Sequence, residues 1–146
     1  MEKRDTLLLV DDMEVNRAIL RSLFEQEYNL LEAENGAQAF MLIQQYRSSL
    51  AAVLLDVVMP VKNGYQVMEE MTRAGLMAYI PVIVITSENS IENEVRAFDL
   101  GAADIIIKPF EPHVVRRRVQ NAVDLNRHKM HLEEMVDVYK RQHLLR

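Results

Sequence analysis

Five short apolar runs, each followed by a stretch of helical periodicity, constrain this chain more than any other feature. The runs are Thr6–Val10, Asn29–Ala33, Ala52–Leu55, Pro81–Ile85 and Asp104–Ile107. Each has the length of a buried strand, and Pro81–Ile85 is almost wholly apolar, as in a parallel sheet covered on both faces. Between them, Met13–Gln26 places Val15, Ile19, Leu23 and Phe24 at helical spacing. Gly36–Gln45 does the same with Ala39, Phe40 and Ile43, and a helix starting at Asn63-Gly64 carries Val67, Met68 and Met71. Ser90 is a cap for a helix through Leu100, with Gly101 as its stop. Pro112 suits the first turn of a last helix. Strand–helix alternation with right-handed crossovers predicts a doubly wound α/β fold, a parallel sheet with helices on both faces.

Such folds bind ligands beyond the carboxyl ends of their strands. Polar residues collect at those ends. Asp11-Asp12 follow the first run, Asp56 the third, Thr86 the fourth and Lys108 the fifth. Core packing does not select polar residues there. Two carboxylates about 4 Å apart repel by roughly 4 kcal/mol at an effective dielectric near 20. Three together therefore call for a cation, and a hard divalent ion such as Mg²⁺ suits oxygen donors. Asp11 and Asp12 are the candidate metal ligands and Asp56 the candidate nucleophile toward phosphorus. Thr86 and Lys108 are placed to hold the transferred oxygens. Asp12 is also a candidate N-cap of the first helix. Asn16-Arg17 read as surface residues of that helix, with no assigned role.

Composition narrows the function. With 146 residues the chain is one domain plus an appendage, and 49% hydrophobic residues supply a core. There is no cysteine, so disulfides and thiolate metal sites are excluded. No run approaches the ~18 apolar residues of a membrane span, and no signal segment stands at the start. A cytoplasmic protein without a membrane partner is expected. Residues 1–110 carry a net charge of −8 and residues 111–146 a net +3, so the body argues against nucleic-acid binding. A flavin carrier on the same fold needs an anion-friendly loop after the first strand, and Asp11-Asp12-Met13-Glu14 is the opposite. An aspartyl phosphatase wants an acid two residues after the nucleophile, where this chain has Val58.

The set Asp11-Asp12, Asp56 with Met59-Pro60 and Gly64, Thr86, and Lys108-Pro109-Phe110 resembles the receiver domain of bacterial two-component response regulators. The resemblance spans residues 5–124. It implies a flavodoxin-like fold of strand order 2-1-3-4-5. It implies a signalling phosphoacceptor rather than an enzyme, with Asp56 taking a phosphoryl group from a sensor histidine kinase or phosphotransfer protein. Mg²⁺, or Mn²⁺, would be held by Asp12, Asp56 and the main-chain carbonyl of Val58, with Asp11 acting through water. Thr86 and the position three before the lysine form the family's switch. Many receivers carry Tyr or Phe there, and this chain has Ile105. That departure keeps a second reading open, a degenerate receiver acting as a phosphorylation-independent interaction module.

Residues 125–146 form an expected helical extension. Leu125, Leu132, Met135 and Tyr139 give an approximate seven-residue stripe, interrupted by His128. The stripe predicts a coiled-coil homodimer. A helical pattern that runs to the last residue is expected either of a standalone receiver or of the front piece of a longer protein, with an output domain or downstream protein as its partner.

Overall fold

The computed structural model describes residues 3–144; Met1, Glu2 and the last two residues of the expected extension, Leu145 and Arg146, lie outside the described residues. Five strands form one parallel sheet: β1 (Thr6–Val10), β2 (Asn29–Ala33), β3 (Leu50–Asp56), β4 (Val82–Thr86) and β5 (Asp104–Ile107). Their order is β2-β1-β3-β4-β5, so the fold is the flavodoxin-like one. The helices are α1 (Glu14–Phe24), α2 (Gly36–Gln45), α3 (Gly64–Arg73), α4 (Ile91–Asp99) and α5 (Pro112–Leu144). None among the described residues is long and apolar enough to cross a membrane.

The period-2 alternation of strand side chains divides the core in two. Leu8, Val10, Val53, Leu55, Val84 and Ile105 point to the layer of α2, α3 and α4, where they meet Ala39, Ile43, Met68, Met71 and Ala97. Leu7, Leu9, Leu54, Ile83, Ile85 and Ile106 point the other way, onto Leu20 and Phe24 of α1 and Val115, Val119 and Val123 of α5. The helices change sides between β1 and β3, which pair in register from Leu7↔Ala52 to Val10↔Leu55. That pairing places the residues after β1 beside the end of β3.

The caps follow local chemistry. The Ser90 hydroxyl accepts the Asn93 N–H, and Gly101 closes α4 at φ +102°. Asn63 and Gln66 form a reciprocal capping box on α3. One helix face differs from the sequence expectation. On α1 the buried stripe is Leu20 and Phe24, while Val15 and Ile19 lie at the surface, 58% and 40% exposed. On α5 the buried stripe is Val115, Val119 and Val123. Both stripes of α1 satisfy an i, i+4 spacing, so the crossing on the sheet decides between them.

α5 runs unbroken for 33 residues, about 50 Å at 1.5 Å per residue. Where it leaves the sheet it is tied down. Asn126 Nδ2 donates to the Tyr79 carbonyl at 3.0 Å, Lys129 Nζ to the Ala78 carbonyl at 2.9 Å, and an Arg127 guanidinium nitrogen to the Arg4 carbonyl at 2.9 Å. Beyond that root, Leu132, Met135, Val136, Val138 and Tyr139 are all exposed.

Candidate functional site

The carboxyl end of the sheet gathers the polar residues that the strand ends carry. Asp56 is the last residue of β3 and Thr86 the last of β4, each one position inside the strand rather than after it. Asp11, Asp56 and Thr86 are 2%, 5% and 3% exposed, so the site floor is dry. Asp12 stands at the rim, exposed. Asp11, Asp12 and Asp56 each present a carboxylate oxygen within 4.8 Å of the others. Lys108 reaches in from the end of β5, its Nζ 3.0 Å from Asp11 Oδ2 and 3.5 Å from Asp56 Oδ2. The peptide joining it to Pro109 is cis.

Three carboxylates against one ammonium leave two negative charges uncompensated. Burial pushes the Asp56 carboxyl up to about 6 from its ordinary 3.8. The Asp11 and Asp12 charges push the same way, while Lys108 and the Val58 N–H, 3.4 Å from Asp56 Oδ1, oppose. Hard oxygen donors, a surplus of two charges and a rim carboxylate open to solvent fit a divalent cation.

The β3–α3 loop keeps the Asp56 end of the sheet open. The Gly64 N–H donates to the Val57 carbonyl at 2.9 Å, and a Cβ on Gly64 would stand 2.5 Å from the Asp56 carbonyl oxygen. Only glycine lets α3 begin so close to β3. Val61, at φ +70°, sits in a tight turn in which the Lys62 N–H donates to the Pro60 carbonyl at 2.7 Å. A β-branched residue in that region stores on the order of 1–3 kcal/mol of strain. The Thr86 hydroxyl accepts the Glu88 N–H at 3.0 Å, which leaves its own proton free to donate. Ile105 is 6% exposed, within the core beneath α4.

The structure corrects two expectations at the start of α1. Asp12 is not its N-cap: Met13 holds that position without a side-chain bond. Asp11 Oδ1 accepts the Met13 N–H at 2.9 Å instead, so the Asp12 carboxylate is left uncommitted. Asn16 and Arg17 are not bystanders. Asn16 Nδ2 donates to Asp11 Oδ2 at 3.2 Å. Arg17, 7% exposed, donates to the Asp11 main-chain carbonyl at 2.6 Å. The one sequence signal for Arg17 is its spacing from Glu14, i to i+3. A second residue pair also escaped sequence reasoning: the Arg96 guanidinium of α4 lies 4.0 Å over the Tyr65 ring of α3.

Comparison with known proteins agrees with this geometry. A Vibrio cholerae protein named "Probable cyclic di-GMP phosphodiesterase" is 35% identical over 124 residues, 85% of this chain and 28% of its own length. The transcriptional regulatory protein SrrA of Staphylococcus aureus is 35% identical over 115 residues, 78% of this chain and 46% of its own. The chain spans from 9% to 55% of the length of curated relatives such as these. The solved structure of the Vibrio cholerae chemotaxis protein CheY4 superposes with a TM-score of 0.74 at 24% identity, covering 81% of this chain and 98% of that one, and shares the fold. The family model described as "Response regulator receiver domain" matches residues 7–120, and the chain therefore belongs to the response regulator receiver family.

Proposed function

We propose that the chain accepts one phosphoryl group on Asp56 from a phosphohistidine of a sensor histidine kinase or phosphotransfer protein. The observation that carries this is a carboxylate buried at the end of β3, 3.5 Å from one lysine and clustered with two further carboxylates. An Asp56 carboxylate oxygen attacks phosphorus and the phosphorus–nitrogen bond of the donor breaks. The bonding pair stays on the ring nitrogen, which takes a proton from water, and Asp56 becomes an acyl phosphate. Lys108 pairs with one transferred oxygen, and the Thr86 hydroxyl turns from Glu88 to donate to another. Asp12, Asp56 and the Val58 main-chain carbonyl, with Asp11 acting through water, would hold Mg²⁺ or Mn²⁺, which would neutralise charge on those oxygens. Exposed Met13, Val15, Ile19 and Val114 give an apolar approach for a protein donor. The chain is in this reading a phosphoacceptor that promotes its own phosphorylation and dephosphorylation.

The test is direct. Incubated with Mg²⁺ and acetyl phosphate and weighed intact, the protein is expected to gain one phosphoryl group, stable to acid and labile to base, and to gain none in excess EDTA. No adduct on the wild-type chain would instead favour the phosphorylation-independent interaction module. That second reading draws on Ile105, an aliphatic residue where many receivers carry the aromatic partner of Thr86.

The added charge of about −1.5 to −2 at Asp56 shifts the body between two states, and α5 carries the shift outward. The receiver body ends near residue 124, and the remaining helix is the arm to an output domain or downstream protein. The exposed stripe of Leu125, Leu132, Met135 and Tyr139 supports a homodimer through that arm. Light scattering at tens of micromolar is expected to return twice the monomer mass; a monomer with and without a phosphoryl mimic removes the coiled coil from the scheme.

A further inference from the structure

We propose that Arg17 is a positioning residue for the metal seat: its guanidinium fixes the peptide that joins Asp11 to Asp12, and so aims the Asp12 carboxylate. The inference rests on the phosphoacceptor reading above.

Asp11 is held at every oxygen. Oδ1 accepts from the Met13 N–H, Oδ2 from Asn16 and Lys108, and the main-chain carbonyl from Arg17 Nη1 at 2.6 Å. That carbonyl belongs to the peptide unit between the two aspartates. The unit is planar, so holding its oxygen also sets the direction of the following Cα. Asp12 itself is exposed, and what orients it is the backbone it hangs from.

Arg17 is built to hold that backbone still. A buried guanidinium persists only when its donors are met. Nε donates to Glu32 Oε1 at 3.1 Å and Nη2 to Glu14 Oε2 at 2.5 Å, besides Nη1 on Asp11. Arg21 closes the frame from outside, bonding Glu14 at 2.9 Å and both oxygens of Glu32 at 3.0 Å. Two arginines and two glutamates sum to zero formal charge. The frame carries no net charge, but Arg17 is its member nearest the acidic cluster, so a field effect and a geometric one are told apart by a substitution that keeps the charge. Lysine at position 17 keeps the charge but lacks the planar fork that meets three partners at once. A field effect would survive Arg17→Lys, whereas a geometric one does not.

The experiment uses the full chain, in metal-free buffer at a temperature where circular dichroism shows every variant folded. Mn²⁺ is titrated alone, free ion is read by electron paramagnetic resonance, and Mg²⁺ is then added as competitor. Loss of an outer partner of a metal ligand weakens affinity roughly 10–100-fold. Arg17→Gln and Arg17→Lys are both expected in that range. Arg21→Gln, which breaks the same charge frame without touching Asp11, is expected to stay within about twofold of wild type. Should Arg17→Gln not fold, Arg17→Lys alone carries the comparison. Wild-type affinity in the folded Arg17 variants overturns the positioning role and leaves the phosphoacceptor reading standing. A wild-type chain that binds neither ion defeats both.

Discussion

Asp56→Asn is expected to abolish the phosphoryl adduct and, in metal-free buffer at pH 8, to stabilise the fold by on the order of 2 kcal/mol. The two effects share one cause. Asp56 ends a strand on a dry floor, and burial first, then Asp11 and Asp12, raise its carboxyl to about 6 from 3.8. A group whose folded pKa lies above its unfolded value favours the folded state in its protonated form. Stability therefore falls as pH rises from about 4 to about 6, and the full penalty of the buried charge is present above that window. Asparagine carries no charge and escapes the penalty. Urea denaturation in EDTA is expected to separate the two proteins at pH 8 and bring them together near pH 4. Excess Mg²⁺ is expected to recover the wild-type chain and to do little for Asp56→Asn. An unchanged or lowered midpoint for Asp56→Asn at pH 8 would falsify the account of a strained carboxylate.

Lys108→Met runs the other way. Among the described residues the lysine, 20% exposed, is the one ammonium in contact with two carboxylates, on side chains that are themselves 3% and 7% exposed. Removing one member of a buried pair leaves the other charge uncompensated, typically at a loss of about 3–5 kcal/mol. The lysine tip is partly wet, so about 3 kcal/mol at pH 8 without metal is expected. Lys108 is also the largest influence holding the Asp56 carboxyl down. Without it Asp56 takes up a proton at higher pH, and the loss of stability shrinks in acid. A divalent cation should restore most of the stability. It should not restore phosphorylation from acetyl phosphate, which loses a positive group placed on the transferred oxygens, worth roughly 10²-fold in rate. A variant phosphorylated at the wild-type rate would remove Lys108 from the chemistry.

The strand ends were legible because apolar runs have sharp edges. The last apolar residue of a buried strand is easily found, and the polar residue after it lands at the carboxyl end of the sheet. Asp11, Asp56, Thr86 and Lys108 were placed that way, and the β1–β3 pairing brings the first two together as the strand order requires. Hydrophobic periodicity cannot see Arg17. A guanidinium counts as polar whether it faces water or reaches a buried carbonyl, and only the fold shows which. The same blindness explains α1, where Val15 and Ile19 compete with Leu20 and Phe24 for the inner face at equal spacing. Asp12 misled as a cap because the helix starts one residue later than its position requires, with Met13 at the cap.

The three hydrogen bonds at the root of α5 have a mechanical consequence. They fasten residues 126 to 129 to the β4 approach and to the first strand's lead-in, so the helix has no joint where it leaves the body. From Met130 to Leu144 it is a free beam of about 22 Å. A rotation of about 5° at the anchored end moves the far end by about 2 Å over that length. The beam converts small angular changes in the body into displacements the size of a side-chain contact.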